Sequence, residues 1–409
     1  MDGLVMGIDL CDEYTQIHCF SQEKTWLFPT VICKKKQTDE WYVGEDAYAY
    51  ALLGEGILAD RLIKMVMKDG TATMDQVKYQ GIELLQTYLK KVIEIPMKEF
   101  DTEQIAQIVI TLPKIERKFM DSLMYCVDYL KIPRTKLHII SHTESFIYYV
   151  LSQKREVWNN QIGMFDLARG RFRYYEMKVQ RGLRQTTVIA EYENLEEGFN
   201  LDILDTPSGS KLADKIVCTC GKRMLQKKIF SSIFLTGKGF QTLDWAPEWK
   251  QLVCNRRKVF IEPYIFAKGA SYKAADYLRD KTAYPFVFIC DGRLETTVSI
   301  KVIHQQRESQ LVLAAAGDHW YEAKTNVDLI VDNQNEIEFS LSSADAKKRK
   351  WVKIPLDGFP ERPNRTTKIS VSLGFLDGKT MAIMLQDRGF GELFPATDTV
   401  IRQEVMLWA

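Results

Sequence analysis

The sequence predicts a duplicated α/β core followed by a separate all-β domain, and three observations carry that reading. The segment LVMGIDLCDEYTQIHCF, residues 4–20, reads as an apolar strand, a turn and a second strand, and QIGMFDLARGRFRYYEMK, residues 161–178, repeats that order with its own Asp-Leu pair. Behind each hairpin, strands alternate with amphipathic helices, the pattern of a mostly parallel sheet covered on both faces. From about residue 284 the texture changes to strands and turns alone. The domains therefore read as 1–160, 161–283 and 284–409.

Each element follows in order. FPTVIC and EWYVG extend the first set of strands, and QGIELLQTYLKKVIEI spaces its apolar residues for a helix. IAQIVITLP is a strand that ends at Pro113, with a helix expected from near Lys114 to Leu130. KLHIISHTESFIYYVLSQ gives another strand and helix. In the second half the hairpin and its return run to 192, helices are expected around 196–227, IFLTGKGF is a strand ending in a Gly-bearing turn, and PYIFAKGASYKAADYLRD closes the half as a helix. The β-region is read as FVFICDGR, TTVSIKVIH, SQLVLAAAG, EIEFSLSS, KISVSLGF and KTMAIMLQD.

Composition narrows the function. With 409 residues, 46% of them hydrophobic and 27% charged, the chain reads as folded and multidomain. A net charge of +1 argues against nucleic-acid binding through bulk charge. No apolar run reaches the ~18 residues of a membrane helix, and the acidic start (Asp2, Asp9, Asp12, Glu13) is unlike a signal peptide, so a cytoplasmic protein with no membrane partner is expected. The eight cysteines form no CxxC pair and read as reduced thiols rather than a zinc site. The KKRK run at Lys347–Lys350 and the Lys34-Lys35-Lys36 run both read as solvated loops.

In order along the chain, Gly7-Ile8-Asp9-Leu10, FPTVIC with VGEDAY, Ile108 to Pro113, Leu137 to Ile140, Phe165-Asp166-Leu167 with Gly170, Phe234 to Gly239 and Ala267-Lys268-Gly269-Ala270 resemble the actin and heat-shock-chaperone ATPase superfamily, most closely the seventy-kilodalton heat-shock chaperones. The stretch from Ile354 to Glu392 is similar to their substrate-binding β-sandwich. The resemblance implies a duplicated ribonuclease-H-like, actin-like ATPase domain and a β-sandwich without the helical lid. It implies ATP or ADP with magnesium as cofactor, with Asp9, Asp12, Asp166, Arg169, Gly170, Arg171, Gly237 and Gly239 as the cofactor-binding positions and Asp9 and Asp166 facing each other across one cleft.

The departures fall where the chemistry should be. A phosphate turn needs Gly and small hydroxyl residues so that backbone N–H groups approach the phosphate oxygens. The first turn instead carries Cys11, Asp12 and Glu13, and the second carries Ala168, Arg169, Gly170 and Arg171. Asp60 and His142 stand where the chaperones have a catalytic Lys and a Glu. Asp9 and Asp166 can hold magnesium and orient the attacking water, or can simply cap turns and pair with neighbours. Arg169 and Arg171 can grip phosphate, or can fill its place and pair with Asp9, Asp12 or Glu13. Absence of any cofactor is thus as consistent as bound nucleotide. Three functions follow: a chaperone-like protein that does not hydrolyse ATP and engages a protein or peptide through its β-domain, an active ATPase using Arg169 or Arg171, and an actin-like assembly protein.

Overall fold

The computed structural model describes residues 3–182, 185–196, 200–344 and 347–408. It divides into two compact units, Met1–Val179 with Ala190–Pro285, and Gln180–Ile189 with Phe286–Ala409. The two halves of the duplicated core thus lie in one unit.

The first unit is organised around two sheets of matching design. In the first, Leu4–Leu10 pairs antiparallel with Tyr14–Cys19, which pairs with Lys24–Pro29, and on its other side runs parallel to Ile105–Leu112, beyond which lies Leu137–Ser141. In the second, Gln161–Ala168 is followed by Arg171–Arg181 and Thr186–Glu196, and on its other side lie Phe230–Thr236 and Lys258–Ile261 in parallel. The central strands are apolar on both faces: every residue of Leu4–Leu10 is buried, as a parallel arrangement with helices on each side requires. The register repeats as well. Asp9 lies opposite Gln16 and beside Thr111, and Asp166 lies opposite Arg173 and beside Thr236.

Each half closes with a helix. His142–Leu151, all ten residues buried, is capped by the Ser141 hydroxyl, which accepts from the Glu144 N–H at 3.1 Å. Ile265–Tyr277 packs on it, and the chemistry of the contact explains Ala267-Lys268-Gly269-Ala270: a Cβ on Gly269 would strike the carbonyl oxygen of Ser145, and one on Gly7 would strike that of Ala267. The two closing helices and the first central strand therefore meet backbone to backbone.

Several expectations shift. The helix expected from Lys114 spans Arg117–Tyr129, because the chain after Pro113 first turns and the Glu116 cap residue is extended. The helices expected around 196–227 are a short turn at Leu201–Asp205 and a helix at Pro207–Leu225, while residues 197–199 lie outside the described residues. The hairpin Thr71–Met74/Val77–Gln80, the strand Lys258–Ile261 and the helix Pro247–Cys254 were not anticipated. Lys34 is not solvated. It is buried, with Nζ donating to the Thr38 carbonyl at 2.8 Å and to Asp39 at 3.2 Å. Arg349 and Lys350 of the second basic run begin the strand Arg349–Pro355 rather than a loop.

The second unit contains two four-stranded antiparallel sheets, one ordered Arg307–Ala314, Thr296–His304, Glu336–Ser343, Arg349–Pro355 and the other Thr325–Ile330, Lys368–Phe375, Thr380–Gly389, Val400–Met406. Alternate residues of Glu336–Ser343 and Thr380–Gly389 are buried, including Phe339, Leu341, Ile383 and Leu385, so each sheet turns one face to the interior. Within the same unit, Thr187–Ile189 pairs in parallel with Val287–Ile289.

Candidate functional site

Both hairpin turns line one cleft of about 450 Å³. The first turn contributes Cys11, Asp12, Glu13 and Tyr14, the second Ala168 to Arg171, and the cleft is completed by Lys64 and Lys114. The hairpins meet directly: Arg171 Nη2 donates to the Tyr14 hydroxyl at 3.1 Å.

Asp9 is fully buried at the end of its strand. His142 Nε2 lies 2.7 Å from Asp9 Oδ1, and the Cys11 thiol donates to the same oxygen with a 3.4 Å separation. Cys11 Sγ is 4.0 Å from His142 Nε2. The imidazole stacks on Phe266 with ring centroids 3.8 Å apart, and burial lowers its proton affinity despite the nearby Asp9 carboxylate. Since a carboxylate can only accept, the neutral ring carries its proton on Nε2, which leaves Nδ1 without a hydrogen-bond partner among the described residues. Burial, reinforced by the charge of Asp9, pushes the Cys11 thiol well up, so it stays protonated.

Asp166, the counterpart of Asp9, is held by charge. Arg171 Nη2 stands 2.9 Å from its Oδ2, yet neither carboxylate oxygen accepts a well-directed hydrogen bond, and Arg171 Nε and the Tyr175 hydroxyl are likewise unpartnered among the described residues. Burial works against the Arg171 charge, but Asp166 outweighs it and holds the guanidinium protonated.

The anticipated bridge between the turns is not formed. Asp12 instead accepts from the backbone N–H groups of Ile63 and Lys64 at 2.9 and 3.1 Å, capping the helix Leu62–Met67 from a distant part of the chain. Arg169 is exposed and, among the described residues, its ion pair is with Asp202, at 3.7 Å. The reason is geometric: Arg171 opens the return strand opposite Ala168 and reaches Asp166 diagonally across the hairpin, whereas Arg169 is one of the two turn residues at the tip, beside Gly170, whose φ of +63° the two-residue turn requires. Glu13 is likewise without an ion pair among the described residues. Burial raises its carboxyl, and the charges of Arg171 and Arg169 oppose the rise without reversing it.

Gly237 adopts φ +88°, and a Cβ there would press on Asp166 Oδ1 and the Leu167 carbonyl; a Cβ on Gly239 would press on the Leu167 side chain. The Gly-Lys-Gly turn thus rests against the second hairpin, and neither glycine lines the cleft. Asp60 does not line it either. The basic groups that do include Lys64, Lys114 and Arg173, none singled out from the sequence; Lys64, in LADRLIK, is brought in by the helix that Asp12 caps. No helix among the described residues is long and apolar enough to cross a membrane.

No curated protein matches the chain. A model described as a domain of unknown function, DUF8552, matches residues 293–407, so the two family matches divide the chain within a few residues of the unit boundary after Pro285. Over residues 13–291, which take in the whole second hairpin and the first from Glu13 onward but not Asp9, Cys11 or Asp12, the chain belongs to the family of unknown function DUF5716, in its C-terminal part.

Proposed function

We propose that this chain is a chaperone-like protein built on a degenerate nucleotide-binding fold of the actin and heat-shock-chaperone kind, that it does not hydrolyse ATP, and that its two-sheet unit engages a protein or peptide partner. The observation that carries this reading is the state of the paired aspartates. They occupy equivalent registers in the two hairpins, as carboxylates serving one metal-nucleotide complex do, but Asp166 is matched by Arg171 at 2.9 Å and Asp9 by His142 at 2.7 Å. A magnesium ion would have to displace a guanidinium from one and an imidazole from the other. With Asp60 and His142 in the positions of Lys and Glu, the charge stabilisers of hydrolysis are also missing, and each such loss costs on the order of 10² in rate. Partner binding by the second unit is supported by its outer strands, which carry exposed Val312, Ile330, Trp351 and Met406.

The test is calorimetric titration with ATP and magnesium alongside a turnover assay. No detectable turnover is expected. Magnesium-dependent hydrolysis of several ATP per minute, abolished by Asp9→Ala, would overturn the proposal in favour of an active enzyme. That second reading draws on one feature: Arg169, exposed and loosely paired, is free to act as a charge stabiliser at the cleft. It is identified by turnover that Arg169→Ala removes.

A further inference from the structure

We infer that Asp9, Cys11 and His142 form a binding site for a single divalent transition metal, and that zinc is the ion their donor set suits. The inference is independent of the nucleotide reading, since it concerns the inner end of the cleft and no phosphate contact.

The geometry is specific. Asp9 Oδ1, Cys11 Sγ and His142 Nε2 are separated by 2.7, 3.4 and 4.0 Å, a triangle whose corners are each about 2.0 Å from a common centre. Zinc bonds to nitrogen and oxygen are about 2.0–2.2 Å and to sulfur about 2.3 Å. An ion displaced slightly from the plane of the three atoms therefore meets all of them at bonding distance with little side-chain movement. All three residues are buried, and their ligand atoms lie within 4.8 Å of one another.

A second observation points to a ligand. Asp9 Oδ2, buried with no hydrogen-bond partner among the described residues, belongs to the same carboxylate and can supply a second oxygen, which leaves a further position toward the cleft for water. Cys11 itself lines that cleft, which gives the ion a path of entry. A carboxylate, an imidazole and a thiolate together match borderline-soft zinc better than magnesium or calcium, which take oxygen ligands.

The charges balance. Binding replaces the proton of the Cys11 thiol, which leaves to solvent, and the His142 proton moves from Nε2 to Nδ1. The resulting thiolate and the Asp9 carboxylate together neutralise the doubly charged ion. Arg171, the nearest cation acting on this cluster, is already engaged by Asp166. His142 Nδ1 has no acceptor among the described residues to orient it, and outer partners of this kind are worth about 10- to 100-fold in affinity. The metal is accordingly exchangeable, released by a chelator without unfolding the chain.

The experiment is a cobalt(II) titration of the full chain, with metal content measured after dialysis against zinc. The expected result is saturation at one equivalent, release of one proton per ion, and a sulfur-to-cobalt charge-transfer band. Cys11→Ser should abolish the band and weaken binding by at least about 100-fold. His142→Gln should weaken it comparably while keeping a shifted band at high cobalt, and the surface variant Cys254→Ser should behave as the parent. Absence of saturable uptake by the parent chain would overturn the inference, as would a band that persists in Cys11→Ser. If Cys11→Ser does not fold, the parent's proton release and the His142→Gln response decide the matter.

Discussion

In the second unit Asp387 meets Arg362, and in the first Asp166 meets Arg171; both pairs are buried, but they are built differently. Asp387 accepts both Arg362 Nη groups at 2.8 and 2.7 Å, the Gly389 N–H at 2.9 Å, and the Thr397 N–H and hydroxyl at 2.8 Å each. Burial alone would push its carboxyl up; the Arg362 fork and these further donors outweigh it and hold Asp387 well below the usual carboxylate range. Asp166 has one charge contact, at 2.9 Å, and no directed hydrogen bond among the described residues. A buried ion pair stabilises only when the remaining lone pairs are satisfied, so the first arrangement holds a fold together. The second retains desolvated, unsatisfied groups at the wall of a cleft, which is where ligand chemistry is found.

The largest expected effect lies on the satisfied side. Arg362→Ala leaves Asp387 charged and buried, and should destabilise the second unit by about 3–5 kcal/mol. Peptide-resolved hydrogen exchange in the strands Lys368–Phe375 and Thr380–Gly389 measures it; a loss below about 1 kcal/mol would remove the contrast.

Acid separates the two regions in a second way. Burial, joined by the charge of Lys268, pushes His18 down to about 4, and His142 moves in the same direction. Both are neutral in the folded state, while the unfolded chain takes up their protons below about pH 6.5. The His18 contribution is therefore complete above that pH and lost as pH falls toward 4, on the order of 3 kcal/mol. Asp387 loses its contribution in the same sense but in a lower window, intact until about pH 4 and lost below. Exchange in the first unit should accelerate between pH 6.5 and 4.5, with the acceleration reduced in His18→Gln. An unchanged slope in that variant would place the sensitivity elsewhere.

The sequence made the hairpins and the Asp9/Asp166 correspondence legible, because a buried strand ending in Asp-Leu before a turn leaves a local pattern that repeats. The same local pattern carried the Gly7 and Gly269 contacts only as a family likeness. What it could not convey was partner choice. Arg171 and Arg169 are two residues apart and look equivalent in the string, yet one points inward to Asp166 and the other sits at the tip beside Asp202. Asp12 is satisfied by Ile63 and Lys64, far along the chain, and nothing near residue 12 announces that. The Asp9–Cys11–His142 cluster joins residues from a hairpin and a helix start, so no spacing rule could have found it. The short strands Thr325–Ile330 and Val400–Met406 were missed because none of their residues is buried, so no run of core-facing apolar positions marks them.

A satisfied carboxylate in the first unit sharpens the comparison further. Asp12→Ala removes the cap from Leu62–Met67 and should cost about 1 kcal/mol, within the usual range of about 0.5–2, with Asp12→Asn largely preserving stability. Urea unfolding of the full chain, read by exchange in residues 62–67, checks it.

The smallest effect is expected where both members of the under-satisfied pair are replaced together. Removing Arg171 alone strands the Asp166 charge, and removing Asp166 alone strands the guanidinium, so each single variant should be costly. In Asp166→Leu with Arg171→Met, the pair's charges no longer need desolvating, and the directed side-chain bond lost among the described residues is the 3.1 Å contact to the Tyr14 hydroxyl. Replacing a buried pair by apolar residues of similar volume is often neutral or stabilising by about 1–4 kcal/mol, so the double variant should fall within about 1 kcal/mol of the parent or above it. The matching replacement of Asp387 and Arg362 should not, because the donors of Gly389 and Thr397 would be left without an acceptor. If both double variants lose equally, the two aspartates hold the fold in the same way. If only the second does, Asp166 and Arg171 are retained at a cost to stability, and their role belongs to what the cleft binds.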